Sequence, residues 1–308
     1  MHPLLASLRD NIAKVVFGHA DAVDRMICCL LARGHCLIED VPGVGKTVLA
    51  TALARSVDCS FTRVQLTPDT LPSDILGVSI YDKATGEFVF KRGPVFANIL
   101  LADEINRTPP RTQSALLEAM AEATVSIDGR VIELDLPFMV VATQNPFDFD
   151  GTYPLPENQL DRFLMRLSLG YPSPSEEARV LRERPGNAPL HTLQSVVNRR
   201  QLVELQLQVD KVRLDDSLLD YIVRIATETR KDDALIQGLS PRASLSLAQA
   251  ARATAFYRGR DYVIPEDILD CVPSVCAHRV VPKSRASARL DATLDIIDRA
   301  VRRVPSPA

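Results

Sequence analysis

The chain contains no tryptophan, and aromatic residues make up only 5% of its 308 positions. Proteins that hold single-stranded nucleic acid stack bases on aromatic rings along a basic groove, and here the formal net charge is −3. The composition therefore argues against a nucleic-acid motor. No run approaches the roughly 20 apolar residues of a membrane span. The N-terminal "MHPLLASLRDNIAKVV" lacks a basic segment followed by a long apolar stretch, so no signal peptide is expected. The cysteines, at 28, 29, 36, 59, 271 and 276, form no C-x-x-C pair and lie mostly in apolar runs. They read as reduced core thiols in a reducing compartment. His2, His19, His35, His191 and His278 show no metal spacing and read as structural, and no serine or cysteine nucleophile arrangement stands out. The expectation is a cytoplasmic protein with an ordinary soluble balance, long enough for about two domains.

What is present is an alternation of short apolar strands with helices up to about residue 170. "HCLIED" (35–40), "FTRVQL" (61–66), "NILLADE" (98–104), "FMVVATQN" (138–145) and "MRLSL" (165–169) are continuous apolar runs, as in a parallel sheet covered on both faces. Helical patterns such as "KTVLATALARSV" and "TQSALLEAMAEA" fall between them. The fold class is α/β, a parallel sheet sandwiched by helices. Two hairpins interrupt it, 77–93 turning near Ala84–Gly86 and 124–134 turning at Asp128–Gly129, the latter a type I′ signal. Neither is needed to complete the sheet. Beyond a Pro-punctuated link at 171–190, strand signals nearly cease. "DDSLLDYIVRIATETRK" puts Leu218, Ile222, Ile225 and Thr229 on one helical face. "SPRASLSLAQAARATAFYRG" has Ser240 as N-cap, Pro241 at the first helical position and Gly259 past the end, and Pro265 opens another helix. The division expected is a nucleotide-binding core over 1–190 and an all-α lid over 191–308.

"EDVPGVGKTVLA" (39–50) matches a phosphate-binding loop except that Asp40 stands where a first glycine would. Backbone N–H groups of Gly43, Val44, Gly45, Lys46 and Thr47, the positive end of the helix that continues through Val48, and the Lys46 ammonium would hold phosphates. Thr47 would offer a hydroxyl to Mg²⁺. An inward Asp40 at about 7 Å and an effective dielectric of about 20 would cost about 2 kcal/mol per phosphate charge, so its carboxylate is expected to point outward. "NILLADEINR" delivers Asp103 and Glu104 to a strand end, Asp103 for Mg²⁺ and Glu104 to polarise water. Asn145, or equally Gln144, is a candidate polar sensor at the end of the next strand. Arg162 beside Asp161 is either a surface ion pair or a charge-stabilising group. Arg242, in the first turn of its helix, is either solvated or able to reach a nucleotide at the interdomain cleft.

With these residues placed, the chain resembles the MoxR-type ATPases of the AAA+ superfamily, in the branch with a helix-2 insert. "LIEDVPGVGKT", "LLADEINRTPPRTQSALLEAMAE", "VVATQNP", "YPLPENQLDRF" and "SPRAS" carry the resemblance, which covers nearly the whole chain. It implies that 77–93 is the helix-2 insert and 124–134 the hairpin before sensor 1. It further implies that Asn145 is sensor 1, Arg162 the arginine finger and Arg242 sensor 2. "VVFGHADAVDRM" is similar to the segment that packs on adenine, which brings in Phe17 and Gly18, with His19 where the family usually has Gln. By the same resemblance the cofactors are ATP/ADP and Mg²⁺, and the assembly is a homo-oligomer, a hexameric ring. The role implied is chaperone-like remodelling of a protein client, with a von Willebrand A-domain protein as a frequent partner. The competing readings are a nucleotide-gated scaffold with little turnover, a nucleic-acid motor, and a small-molecule kinase or GTPase. For the last, neither an acceptor pocket nor an N-K-x-D motif is found.

Overall fold

A computed structural model describes residues 1–146, 151–183, 189–284 and 290–307. Five strands form its central sheet: β1 (Cys36–Glu39), β2 (Phe61–Gln65), β3 (Ile99–Asp103), β4 (Met139–Gln144) and β5 (Met165–Leu167). All pair in parallel, in the order β5-β1-β4-β3-β2. Each of the five expected strands is present. In β1, β3 and β4 nearly every residue is buried, as their unbroken apolar runs require when helices cover both faces. β2 departs from that expectation: it is the sheet's edge, half exposed, and carries Arg63 and Gln65.

The helices α1 (Pro3–Ala13), α2 (Ala20–Leu31), α3 (Lys46–Ser56) and α4 (Pro110–Glu122) surround this sheet. Its two faces feed two apolar clusters. One holds Leu37, Leu100, Val140 and Phe163 against Leu116 and Leu117 of α4. The other runs from Ile38 and Met165 through α1, α2 and α3 into the C-terminal helices, so core and helical region share one continuous apolar interior.

That region comprises α6 (Arg199–Val209), α7 (Asp216–Lys231), α8 (Pro241–Tyr257), α9 (Pro265–Cys276) and α10 (Leu290–Arg302). The expected face of α7, Leu218, Ile222, Ile225 and Thr229, is buried. Ser240 caps α8 through the Ala243 N–H, and Gly259 follows it at φ +85°. Two short pairings were not foreseen: an antiparallel one between Leu235–Gln237 and Val281–Pro282, and a parallel one joining 197–198 to 57–58. The link at 171–190 also holds a helix, α5 (Pro174–Glu183), while its residues 184–188 and the side chain of His191 lie outside the described residues.

Both hairpins are present and lie side by side. Gly77–Asp82 pairs with Glu87–Arg92, and Thr124–Ile127 pairs with Arg130–Glu133. Asp128 and Gly129 have φ of +51° and +74°, the two positive values of the expected type I′ turn. At the base of the first hairpin the strands cross so closely that a Cβ on Gly77 would meet the Lys91 carbonyl at 2.3 Å. Among the described residues no helix is long and apolar enough to cross a membrane.

Candidate active site

The strand order sets the location. β1 lies between β5 and β4, with β3 beyond β4, so the C-terminal ends of β1, β3 and β4 open onto one crevice. The phosphate loop leaves β1 and enters α3 at Lys46. Gly43 and Gly45 have φ of +86° and +98°, which side-chain-bearing residues rarely adopt, and space above both is open for 4 Å.

Asp40 points out of this loop. Its Oδ2 accepts from the backbone N–H groups of Leu169 and Gly170, both at 2.7 Å, and from Ser168 Oγ at 2.9 Å. Its Oδ1 accepts from the Val41 N–H at 2.8 Å. Burial alone would raise this carboxyl's pKa, but the four donors outweigh it and hold it below the ordinary range. The departure from the glycine pattern is therefore a bracket from the loop to the segment after β5.

Lys46 Nζ lies against the carbonyls of Asp40, Val41 (3.3 Å) and Gln144 (3.4 Å). Burial lowers its pKa, against the pull of Asp40, Asp103 and Glu104. Thr47 Oγ1 is 3.4 Å from Asp103 Oδ2, so loop and acidic strand meet where the motifs predict. Asp103 Oδ1 accepts from Thr143 Oγ1 at 2.5 Å, and the same hydroxyl accepts from the Glu104 N–H at 2.9 Å. Thr143, fully buried on β4, thus aligns both acidic residues. Glu104 sits at φ +60°, a left-handed backbone costing of order 1–3 kcal/mol, where the chain turns its carboxylate away from the strand line. Hydroxyl and carboxylate oxygens suit Mg²⁺, and the open loop with its inward backbone suits polyphosphate, so these residues fit both groups.

Three groups here were not found in the sequence. Arg63 Nη2 lies 2.7 Å from Asp103 Oδ2, Gln65 Nε2 donates to Glu104 Oε2 at 2.7 Å, and Arg107 Nε is 3.2 Å from the same oxygen. Part of the signal lies in the sequence, and the strand register that completes it does not. A charged and an amide side chain two apart on one strand share a face, and a partly buried charge needs a partner.

At the end of β4, Asn145 and Gln144 differ. The Asn145 carbonyl accepts from Asn106 Nδ2 at 3.4 Å, whereas Gln144 Oε1 is buried without a hydrogen-bond partner among the described residues. A cavity of about 550 Å³ adjoins the loop, lined by Phe17, His19, Gly43, Val44, Gly45 and Val48 on one side. Tyr171, Val180 and Leu181 line the other. Arg179 of α5 stacks its guanidinium 4.0 Å from the Phe17 ring centre. A Cβ on Gly18 would meet the Glu176 side chain at 2.5 Å. The unforeseen helix α5, not the C-terminal helices, covers this apolar cavity.

Arg162 and Arg242 lie elsewhere. Arg162 Nη1 donates to the Leu117 carbonyl at 2.5 Å, and Arg242 is 3.9 Å from Asp161 Oδ2, lining a second cavity with Glu157 and Arg279. In the β1–β5 register Cys36 pairs with Met165, so residue 162 precedes the sheet's N-terminal edge while the phosphate loop follows its C-terminal edge. The interdomain cleft that Arg242 lines is this second cavity, whereas the cavity beside the phosphate loop is lined by other residues. Arg279, almost wholly buried, ties this region together, donating to Asp161 Oδ1 at 2.7 Å and to the carbonyls of Phe163, Leu164 and Val275.

The cysteines have no disulfide, and burial pushes the Cys276 thiol up to about 12 and Cys59 and Cys271 up to about 11. They are poor nucleophiles at neutral pH.

Comparison with known proteins gives the family. The ATPase family associated with various cellular activities (AAA) matches residues 35–165, and the AAA lid domain matches 227–299. The chain is 50% identical to the Bacillus subtilis protein YeaC over 91% of its own length and 88% of that protein's. It is 44% identical to Chaperone MoxR1 of Mycobacterium tuberculosis, over 96% and 81% respectively. A crystal structure from Cytophaga hutchinsonii superposes with a TM-score of 0.90 at 38% identity, covering 99% of this chain and 95% of that one. A phosphate loop facing an acidic strand in a β5-β1-β4-β3-β2 sheet, a helical lid, and these relatives together place the chain in the MoxR family of AAA+ ATPases.

Proposed function

We propose that the protein binds and hydrolyses ATP with Mg²⁺ and uses the cycle to remodel a protein client in the cytoplasm. The observation that carries this reading is the chain of contacts from Thr47 to Asp103, from Asp103 to Thr143, and from Thr143 to the Glu104 N–H at the mouth of the phosphate loop. Backbone N–H groups from Gly43 to Thr47 and the Lys46 ammonium bind the phosphates, and Thr47 and Asp103 hold the metal. Bound Mg²⁺ supplies charge neutralisation on the transferring phosphoryl group. Glu104 orients and polarises the attacking water, with Gln144 or Asn145 as the polar group facing it. Phe17 and Gly18 border the base. Residues 1–190 act as the catalytic core and 191–308 as the lid.

Arg162 and Arg242 share the end of the sheet opposite the loop. This favours a ring in which they serve a neighbouring copy, with six subunits as the expected closure. Replacing Glu104 by Gln keeps the size but removes the charge. Phosphate release should fall about 10²–10⁴-fold while ATP affinity by calorimetry stays within a few-fold. Lys46→Ala should weaken ATP binding itself, by about 10–100-fold. Parent-rate hydrolysis by Glu104→Gln would reject the assignment, and wild-type protein that binds ATP without phosphate release would favour a nucleotide-gated scaffold.

A further inference from the structure

Asp103 has two oxygens and each is committed. Oδ1 takes the Thr143 hydroxyl, which leaves Oδ2 as the oxygen facing Thr47 and hence any cation between them. That same oxygen is held by Arg63, through Nη2 at 2.7 Å and Nε at 3.2 Å. We propose that Arg63 is a resident counterion of the metal site, and that a divalent cation reaches Asp103 only by displacing it. The proposal rests on Thr47 and Asp103 being the metal's holders.

The position of Arg63 suits displacement. β2 is the edge strand, and the Arg63 side chain is half exposed, so its guanidinium has water to move into. Asp103 is buried and cannot follow it. A carboxylate so placed needs a partner, and with Arg63 Nε and Nη2 both donating to Oδ2 a cation approaching that oxygen meets filled lone pairs and a like charge. The consequence is an ordering rule. A free divalent cation competes against an ion pair already made and binds weakly. A cation arriving with a polyphosphate gains the phosphate oxygens as well and displaces Arg63 more readily. Arg63 would thus suppress loading by metal alone.

Mn²⁺ can serve as the probe, with free ion counted by electron paramagnetic resonance. Wild type, Arg63→Gln, Arg63→Met and Asp103→Asn would be titrated without nucleotide, at 0.15 M and at 1 M NaCl. Without nucleotide, both Arg63 variants should bind Mn²⁺ about three- to tenfold tighter than wild type, the range for losing a half-exposed ion pair with a charged hydrogen bond. The gain should persist at 1 M salt, where the screening length is about 3 Å and only a direct contact survives. With a non-hydrolysable ATP analogue present the advantage should shrink. Unchanged or weaker Mn²⁺ binding in folded Arg63 variants overturns the proposal, as does a gain that vanishes at 1 M salt. If Asp103→Asn leaves Mn²⁺ affinity unaltered, the metal site itself is misplaced, a failure distinct from that of Arg63.

Discussion

Asp40 and Gly170 are joined by a 2.7 Å hydrogen bond from the Gly170 N–H to the carboxylate, which ties the start of the phosphate loop to the chain leaving β5. The carboxylate faces away from the phosphates, so Asp40→Gly should leave ATP affinity within a few-fold, a shift below about 1 kcal/mol. Stability is another matter. Removing the acceptor strands the N–H groups of Leu169 and Gly170, at about 1–3 kcal/mol each if water cannot reach them, and the melting temperature should fall by several degrees. The sign with pH follows from the lowered pKa of Asp40. Its contribution is complete above the ordinary aspartate value near 3.9 and disappears as pH falls through the depressed folded value. The gap in melting temperature between wild type and Asp40→Gly should therefore be wide at pH 7 and shrink progressively as pH falls below about 4. A hundredfold gain in ATP affinity would mean that the carboxylate faces the nucleotide.

The outward Asp40, the five strands and the meeting of Thr47 with Asp103 were legible because each follows from local rules: apolar period, glycine torsions, and the cost of a charge near phosphate. Arg63, Gln65 and Arg279 were not, because what gives them meaning is register and long-range contact. Arg63 reaches Asp103 only because β2 pairs with β3 so that Gln65 lies opposite Asp103. Helix α5 was hidden by the prolines of its segment, which read as a linker, although Pro174 sits at the first helical position where a missing N–H costs nothing. The cleft that Arg242 faces was hidden for a related reason. Its helix was correct, but only the packing of Arg279 on Asp161 decides which cleft that helix faces.

The Arg279–Asp161 pair predicts a large stability effect. Asp161→Ala leaves a guanidinium that is almost wholly buried without its counter-charge, a loss of about 3–5 kcal/mol. A fall in melting temperature of roughly 6 °C or more is expected, with Asp161→Asn recovering part of it. A change below 1 °C on scanning calorimetry would mean that the carbonyls of Phe163, Leu164 and Val275 suffice to hold Arg279.

The paired hairpins predict a separation of functions. They present Phe88 and Val131, each more than two-thirds exposed, and are linked by the Ser79–Asp128 hydrogen bond at 2.5 Å. Exposed apolar groups on elements that the sheet does not need suit client contact. Phe88→Ser with Val131→Ser should change stability by less than about 1 kcal/mol and leave basal phosphate release intact. Suppression of aggregation of a chemically denatured test enzyme should fall. Unaltered suppression would assign client contact to another surface.

The last prediction concerns which copy's site Arg162 serves. Arg162 lies before β5 and the phosphate loop lies after β1, and in parallel neighbours whose register begins at Cys36↔Met165 these are opposite ends of the sheet. At about 3.3 Å per residue, β1 alone separates them by more than 10 Å, beyond what a side chain anchored on the Leu117 carbonyl covers. If Arg162 stabilises the transferring phosphoryl group, an effect on the order of 10³-fold or more, it does so in a neighbouring copy. Head-to-tail contacts of that kind generate rings when the rotation between copies closes. Arg162→Ala and Glu104→Gln proteins should each be nearly inactive. When they are mixed equally and allowed to exchange, about a quarter of random interfaces would pair an intact Glu104 with a neighbour's intact Arg162, and phosphate release should reappear in proportion. If mixed oligomers form, as native mass spectrometry would show, and the mixture remains inactive, Arg162 does not act across the interface.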